Sequence, residues 1–162
     1  MGTLSPYFEP HEFACPCGCG LTAVDPKLIQ EVLHPTRVHF GGALIITSGC
    51  RCDEYNRRLR FCPTCESSVK SAPGDKQYLC PSCGHHTRQR SSVTSWHKPR
   101  NGVVHAADFK VIDKTGKMKY VLQYKVQNFV EALPIIRERG GLGRYRSFTH
   151  ADTRGWKARW YG

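Results

Sequence analysis

Cys62-Pro-Thr-Cys65 and Cys80-Pro-Ser-Cys83 are two C-x2-C knuckles in one short stretch, and no other feature of the sequence restricts the fold as much. Each tight knuckle points two sulfurs at one spot, and zinc prefers four thiolates in a tetrahedron. The pair therefore predicts a structural zinc ribbon held by Cys62, Cys65, Cys80 and Cys83. His85 and His86 are then neighbours of a completed site, and the turn-rich Ser71-Ala-Pro-Gly74 joins its halves. Basic segments, Arg57-Arg-Leu-Arg60 and Arg88-Gln-Arg90, flank the ribbon, with more chain to be joined on both sides. The excursion over 62–86 reads as an insertion within a single domain spanning 1–162, a length that suits one modest core.

The chain has nine cysteines and no charged-then-apolar leader, which favours metal over disulfides. An odd count also cannot pair completely. Cys15, Cys17, Cys19, Cys50 and Cys52 lie outside the ribbon. Cys15 and Cys17 with Cys50 or Cys52 offer a further structural zinc site, while small buried thiols account for them at least as well.

No apolar run approaches the roughly 20 residues of a membrane helix, so a soluble protein with no membrane partner is expected. Lysine and arginine number 24 against 13 acidic residues, a formal charge of +11 that attracts polyanions. Nucleic acid and anionic bacterial wall polymers fit that charge equally well, and a merely solvated basic surface is the plain alternative.

Outside the ribbon, Asp25 caps a helix that Pro26 opens, and Leu28, Ile29, Val32 and Leu33 follow at helical spacing, with an end or a bend expected near Pro35. Gly41-Gly42 punctuates, and Ala43 to Thr47 is a short β-branched run suited to a buried strand. Val103 to Ile112 reads as strand and Asp113 to Gly116 as turn. Val126, Phe129, Val130, Leu133 and Ile136 predict a second helix over Tyr124 to Arg139 despite Pro134, and Phe148 to Thr153 is a closing strand. The order predicts an α+β fold, a small antiparallel sheet with flanking helices plus the inserted ribbon.

Asn101-Gly102 is the strongest short-range hairpin signal, and as a two-residue turn it sets His97 opposite Ala106. Asp108 then shares a face with His97 as its diagonal neighbour, about 7 to 8 Å away between backbones, while His105 turns to the other face. His150 is a third candidate ligand, and Asp152, two residues on, points the same way along a strand. Three protein ligands plus an open position is the arrangement of catalytic zinc, and a carboxylate beside it is where a general base belongs.

Several motifs, in order, resemble the zinc D-Ala-D-Ala carboxypeptidase family with its hedgehog-like fold, and especially its branch of small phage and bacterial wall peptidases. They are Phe8 to Cys15 with Cys17-Gly-Cys-Gly20, Val24 to Ile29, Thr47-Ser-Gly-Cys-Arg-Cys52 with Asn56, Ser95-Trp-His97, Ala106-Ala-Asp108, Gly140 to Tyr145, and Phe148-Thr-His-Ala-Asp152. The resemblance implies a catalytic zinc on His97, Asp108 and His150, and an Arg51 that grips a substrate carboxylate or carbonyl. Relatives place the histidine and the aspartate closer together, with a glycine between; here Pro99 to Gly102 lengthens the interval, so His105 stands as the alternative to His97. Many relatives also carry a carboxylate or histidine just before the last ligand, whereas residues 144 to 149 are Arg-Tyr-Arg-Ser-Phe-Thr. Asp152 is the substitute, either as general base or as the group that orients His150.

The function so implied is hydrolysis of peptidoglycan stem peptides, as a carboxypeptidase or an endopeptidase of the endolysin type. The protein would be phage-encoded, held in the host cytoplasm before release to the wall, or carried in a virion. The rival is a catalytically inactive peptidase-like fold whose basic ribbon, with Tyr78, binds nucleic acid or docks another protein.

Overall fold

The computed structural model describes residues 5–59, 61–62, 64–67, 78–80, 82–87, 94–115 and 119–162. The Ser71–Gly74 turn, Arg60, the Arg88–Arg90 segment, Gly116 and the side chains of Tyr78 and His86 lie outside them.

The fold is α+β. After a short 3-10 turn at Pro10–Phe13, α1 (Pro26–Leu28) starts on Asp25, whose carboxylate accepts from the backbone N–H of Lys27 at 3.0 Å. The helix does not stop or break at Pro35. It widens to a π-turn over Ile29–Leu33, where the N–H of His34 donates to the Ile29 carbonyl, and continues as α2 (His34–Phe40). Proline has no N–H to give, and the wide turn absorbs that loss. Leu28, Ile29, Val32 and Leu33 are buried together as their spacing requires.

β1 (Leu44–Ser48) follows, then α3 (Asp53–Arg58), and a two-stranded unit of β2 (Tyr78–Leu79) against β3 (His86–Thr87). β4 (Ala106–Val111) is a buried interior strand of the larger sheet, with Phe109 and Val111 in the core. The helix expected over 124–139 is two, α4 (Gln123–Ala132) and α5 (Pro134–Arg139). Leu133 takes an extended conformation between them, as the residue before a proline tends to.

β5 (Gly141–Arg144), β6 (Thr149–Asp152) and β7 (Ala158–Tyr161) complete a sheet in the order β1-β4-β6-β5-β7. Four strands are antiparallel as expected, but β7 runs parallel to β5, so the sheet is mixed. Glu131 on α4 holds this edge: it pairs with Arg144 of β5 and, at 2.9 Å, with Arg159 of β7. Gln127 on the same helix donates to the Tyr145 carbonyl at 2.8 Å and so fixes the turn that leads into β6.

Candidate metal centre

β4 and β6 are paired so that Asp108 stands directly across from His150, and Ala106 across from Asp152. Side chains alternate along a strand, so Asp108, His150 and Asp152 share one face while Phe109 and Ala151 enter the core on the other. On the next strand Gly143 faces His150 and Gly141 faces Asp152. A Cβ at Gly141 would stand 2.4 Å from the Asp152 carboxylate, so the bare backbone there makes room for it.

His97 reaches the same face by a different route from the one the hairpin argument gave. Arg100 and Val103 do pair around Asn101-Gly102, with N–H···O distances of 2.8 and 3.1 Å, but pairing ends there and residues 95–99 form turns. The neighbours of β4 are β1 and β6, so no strand is left to set His97 opposite Ala106. The loop is tied instead to the end of β1: the Arg51 N–H donates to the His97 carbonyl at 2.8 Å, and the His97 Nδ1–H donates to the Gly49 carbonyl at 2.7 Å. Gly49 has no room for a side chain, since a Cβ would lie 2.6 Å from the Phe13 Cα.

Three ligand atoms converge. His97 Nε2 lies 3.3 Å from Asp108 Oδ1 and 3.3 Å from His150 Nδ1, and His150 Nδ1 lies 2.7 Å from Asp108 Oδ1. Donors at about 2.0 to 2.1 Å around a tetrahedral zinc stand about 3.3 Å apart, which is the separation of His97 Nε2 from both partners, while the 2.7 Å between Asp108 and His150 is a hydrogen bond that an ion would open. The ring tautomers fit that ion too. Gly49 takes the Nδ1 proton of His97, which leaves Nε2 for the centre, and Asp152 Oδ2 sits 2.9 Å from His150 Nε2, so a metal would take His150 Nδ1 in place of the proton that atom shares with Asp108. All three residues are buried.

His105 is not part of the group. Its Nδ1 is 3.0 Å from Asp25 Oδ2 and 3.3 Å from the Thr153 hydroxyl, a tie between the start of α1 and the end of β6. Arg51 stands behind Asp108, with Nη2 3.2 Å from Asp108 Oδ2 and 2.8 Å from the Ser48 hydroxyl. It therefore decides which carboxylate oxygen is left to the histidines.

Asp152 is fully enclosed and lies on the far side of the His150 ring from the converging atoms. Arg154 holds it with both Nε, at 2.7 Å, and Nη2, at 2.6 Å, and itself lies 4.8 Å from the Trp160 ring. Burial raises the Asp152 pKa, but the bonds from Arg154 and His150 outweigh it and bring the group to about 2. Burial likewise disfavours a charged His150, yet Asp108 and Asp152 outweigh it and push the ring up to about 9, while burial carries His97 down. Asp108 falls well below the usual carboxylate range, because the charges and hydrogen bonds of the two histidines overcome its burial.

In the excursion, Cys62, Cys65, Cys80 and Cys83 present sulfurs within 4.8 Å of one another, with Cys62–Cys83 at 3.7 Å and Cys65–Cys80 at 3.6 Å. The two knuckles close alike. Glu66 N–H donates to the Cys62 carbonyl and Gly84 N–H to the Cys80 carbonyl, at 2.9 and 2.8 Å. The Ser67 hydroxyl beside Cys80 draws that thiol down to about 6, towards the thiolate a metal needs. His85 is exposed and stands outside the group.

The other five cysteines divide differently from expectation. Cys15, Cys17, Cys19 and Cys52 form one group, whereas Cys50 points away, its sulfur 3.6 Å from the Ala23 carbonyl. The participation of Cys19 was missed in the sequence, although the alternating C-x-C-x-C spacing carried the signal.

The family described as Peptidase M15 matches residues 6–61, the segment that carries Arg51 and ends before His97. A UPF0260 protein of Pseudomonas aeruginosa (strain LESB58) is 29% identical over 105 residues, covering 62% of this chain and 68% of that protein. A UPF0260 protein of Pseudomonas fluorescens (strain Pf0-1) is 24% identical over 102 residues, with the same coverage of each chain. No solved structure matches. The likeness to a peptidase is thus coarse and N-terminal, and the grouping of His97, Asp108 and His150 as a set that could hold a metal stands on geometry alone. No helix among the described residues is long and apolar enough to cross a membrane.

Proposed function

We propose that the chain is a zinc-dependent peptidase of bacterial cell walls, cutting peptidoglycan stem peptides as a D-Ala-D-Ala carboxypeptidase or an endopeptidase. The observation that carries this reading is the convergence of His97 Nε2, Asp108 Oδ1 and His150 Nδ1, each with its partner atom already engaged elsewhere. The Peptidase M15 match over residues 6–61 supports the reaction class.

A zinc ion held by these three atoms would polarise a scissile carbonyl and bring the pKa of a bound water towards neutrality. The chain's own residues fix the geometry for that chemistry. Gly49 and Asp152 set the two ring tautomers, and Arg51 turns one oxygen of Asp108 inward. Asp152 serves as a positioning residue and not as the base, because the imidazole of His150 separates it from the reacting side and its low pKa makes it a poor proton acceptor. The formal charge of +11 would concentrate the enzyme on walls rich in phosphate and carboxylate polymers.

The test is digestion of purified peptidoglycan by the zinc-loaded chain, with mass analysis of the fragments. Loss of a terminal alanine marks a carboxypeptidase, and opened cross-links mark an endopeptidase. Fully zinc-loaded protein that releases nothing, yet binds DNA in a salt-sensitive way, would replace this reading with the nucleic-acid module.

A further inference from the structure

Apart from the ribbon and the histidine centre, a third set of soft ligands comes together where the N-terminal block meets the loop after β1. Cys15 and Cys17 sulfurs are 3.4 Å apart, Cys17 and Cys52 are 3.5 Å apart, and Cys19 completes a group whose ligand atoms all lie within 4.8 Å of one another. We propose that Cys15, Cys17, Cys19 and Cys52 bind a further structural Zn2+, which staples the N-terminal segment to the loop that carries Gly49 and Arg51.

The spacing is that of ligands around an ion. Disulfide sulfurs lie about 2.05 Å apart, whereas thiolates at about 2.3 Å from a tetrahedral zinc stand about 3.8 Å apart. The ribbon sulfurs of the same protein are spaced similarly, at 3.6 and 3.7 Å. Backbone donors also surround this group. The Cys52 N–H donates to Cys15 Sγ and the Tyr55 N–H to Cys52 Sγ, both at 3.3 Å. These bonds fix the Cys15 and Cys52 sulfurs on either side of Cys17.

The surrounding backbone shows what the staple would hold. The Cys50 N–H donates to the Phe13 carbonyl at 2.8 Å, and Gly49 packs with no spare room on Phe13. From that same loop the Gly49 carbonyl fixes His97, and Arg51 fixes Asp108. An ion on Cys52, the residue after Arg51, would thus anchor two supports of the histidine centre from one side.

Cys17 and Cys19 are exposed, so their accessibility to an alkylating reagent reads the site directly. The zinc-loaded chain is pulsed with iodoacetamide, before and after treatment with a chelator, and each cysteine is followed by peptide mass spectrometry. Expected is at least about tenfold slower alkylation of Cys17 and Cys19 with zinc than without it. In Cys52→Ser that protection should fall at both residues while Cys62, Cys65, Cys80 and Cys83 stay shielded and the far-ultraviolet circular dichroism and thermal transition of the chain are kept, which shows that the variant is folded. Alkylation of Cys17 and Cys19 in zinc-loaded wild type at the chelated rate overturns the proposal. So does protection that survives the chelator and yields only to a reductant, which would mark a disulfide. Neither readout depends on hydrolysis, so the peptidase reading stands or falls separately.

Discussion

Asp152 and His150 are two residues apart on β6, and the carboxylate of the first meets Nε2 of the second at 2.9 Å, leaving Nδ1 to face Asp108. A carboxylate behind a ligating histidine fixes its tautomer and raises its basicity. Asp152→Asn should therefore weaken zinc binding at this centre by about 10- to 100-fold. Hydrolysis should recover when zinc is raised to saturation. Activity that stays lost at full zinc occupancy, as measured by metal analysis beside a peptide-release assay, would show that Asp152 takes a proton in the reaction.

His97 and His105 are distinguished just as sharply. His97→Ala removes one of three converging ligand atoms and should cost one equivalent of bound zinc together with hydrolysis. His105→Ala removes a bond to Asp25 some distance from the centre and should keep the full metal complement. Metal content per chain, measured on both variants after dialysis, decides between them.

Part of this arrangement was legible in the sequence, and the reason is periodicity. His150 and Asp152 had to share a face of any strand that contained them, and the knuckles had to present paired sulfurs whatever surrounded them. His97 was placed on the correct side by an argument that fails in detail. Asn101-Gly102 forms its turn, but no extended partner runs through 95–99, because the loop bonds to Gly49 and Arg51 instead. Those are long-range contacts with no local signature. β5 and β7 were missed for a related reason. Gly140-Gly141 reads as a helix stop, whereas Gly141 and Gly143 lie on β5 and are kept bare by Asp152 and Trp160 on neighbouring strands. Pro35 signals an end or a bend, and the π-turn that instead carries the helix past it has no sequence pattern of its own.

Asp25 links three elements: it caps α1 through the Lys27 N–H and accepts from Thr153 at 2.7 Å, with His105 Nδ1 at 3.0 Å. Burial raises its pKa, but these bonds outweigh it and the net shift is downward. A carboxylate lowered in the folded state adds stability above its unfolded pKa of about 3.9, and that stability is lost as pH falls through the lower folded value. Asp25→Asn keeps a good cap and removes the charge. Its unfolding temperature should lie below wild type at pH 6, and the gap should close as the pH drops below about 4. A gap independent of pH between 6 and 3 would assign the effect to packing.

Gly141 tests the face on which the centre is built. A methyl group there would stand 2.4 to 2.6 Å from the carboxylate of Asp152, a group already held by Arg154 and His150 and with no exposed surface into which it could retreat. Either β5 shifts or Asp152 leaves His150. Gly141→Ala should therefore destabilise the fold by about 1 to 3 kcal/mol, the usual range for overpacking. It should also lower zinc affinity at the histidine centre, because the tautomer of His150 loses its support. Thermal unfolding with and without zinc checks both effects. A variant with wild-type stability and wild-type zinc affinity would mean that Asp152 can move without disturbing His150, contrary to the role assigned to it.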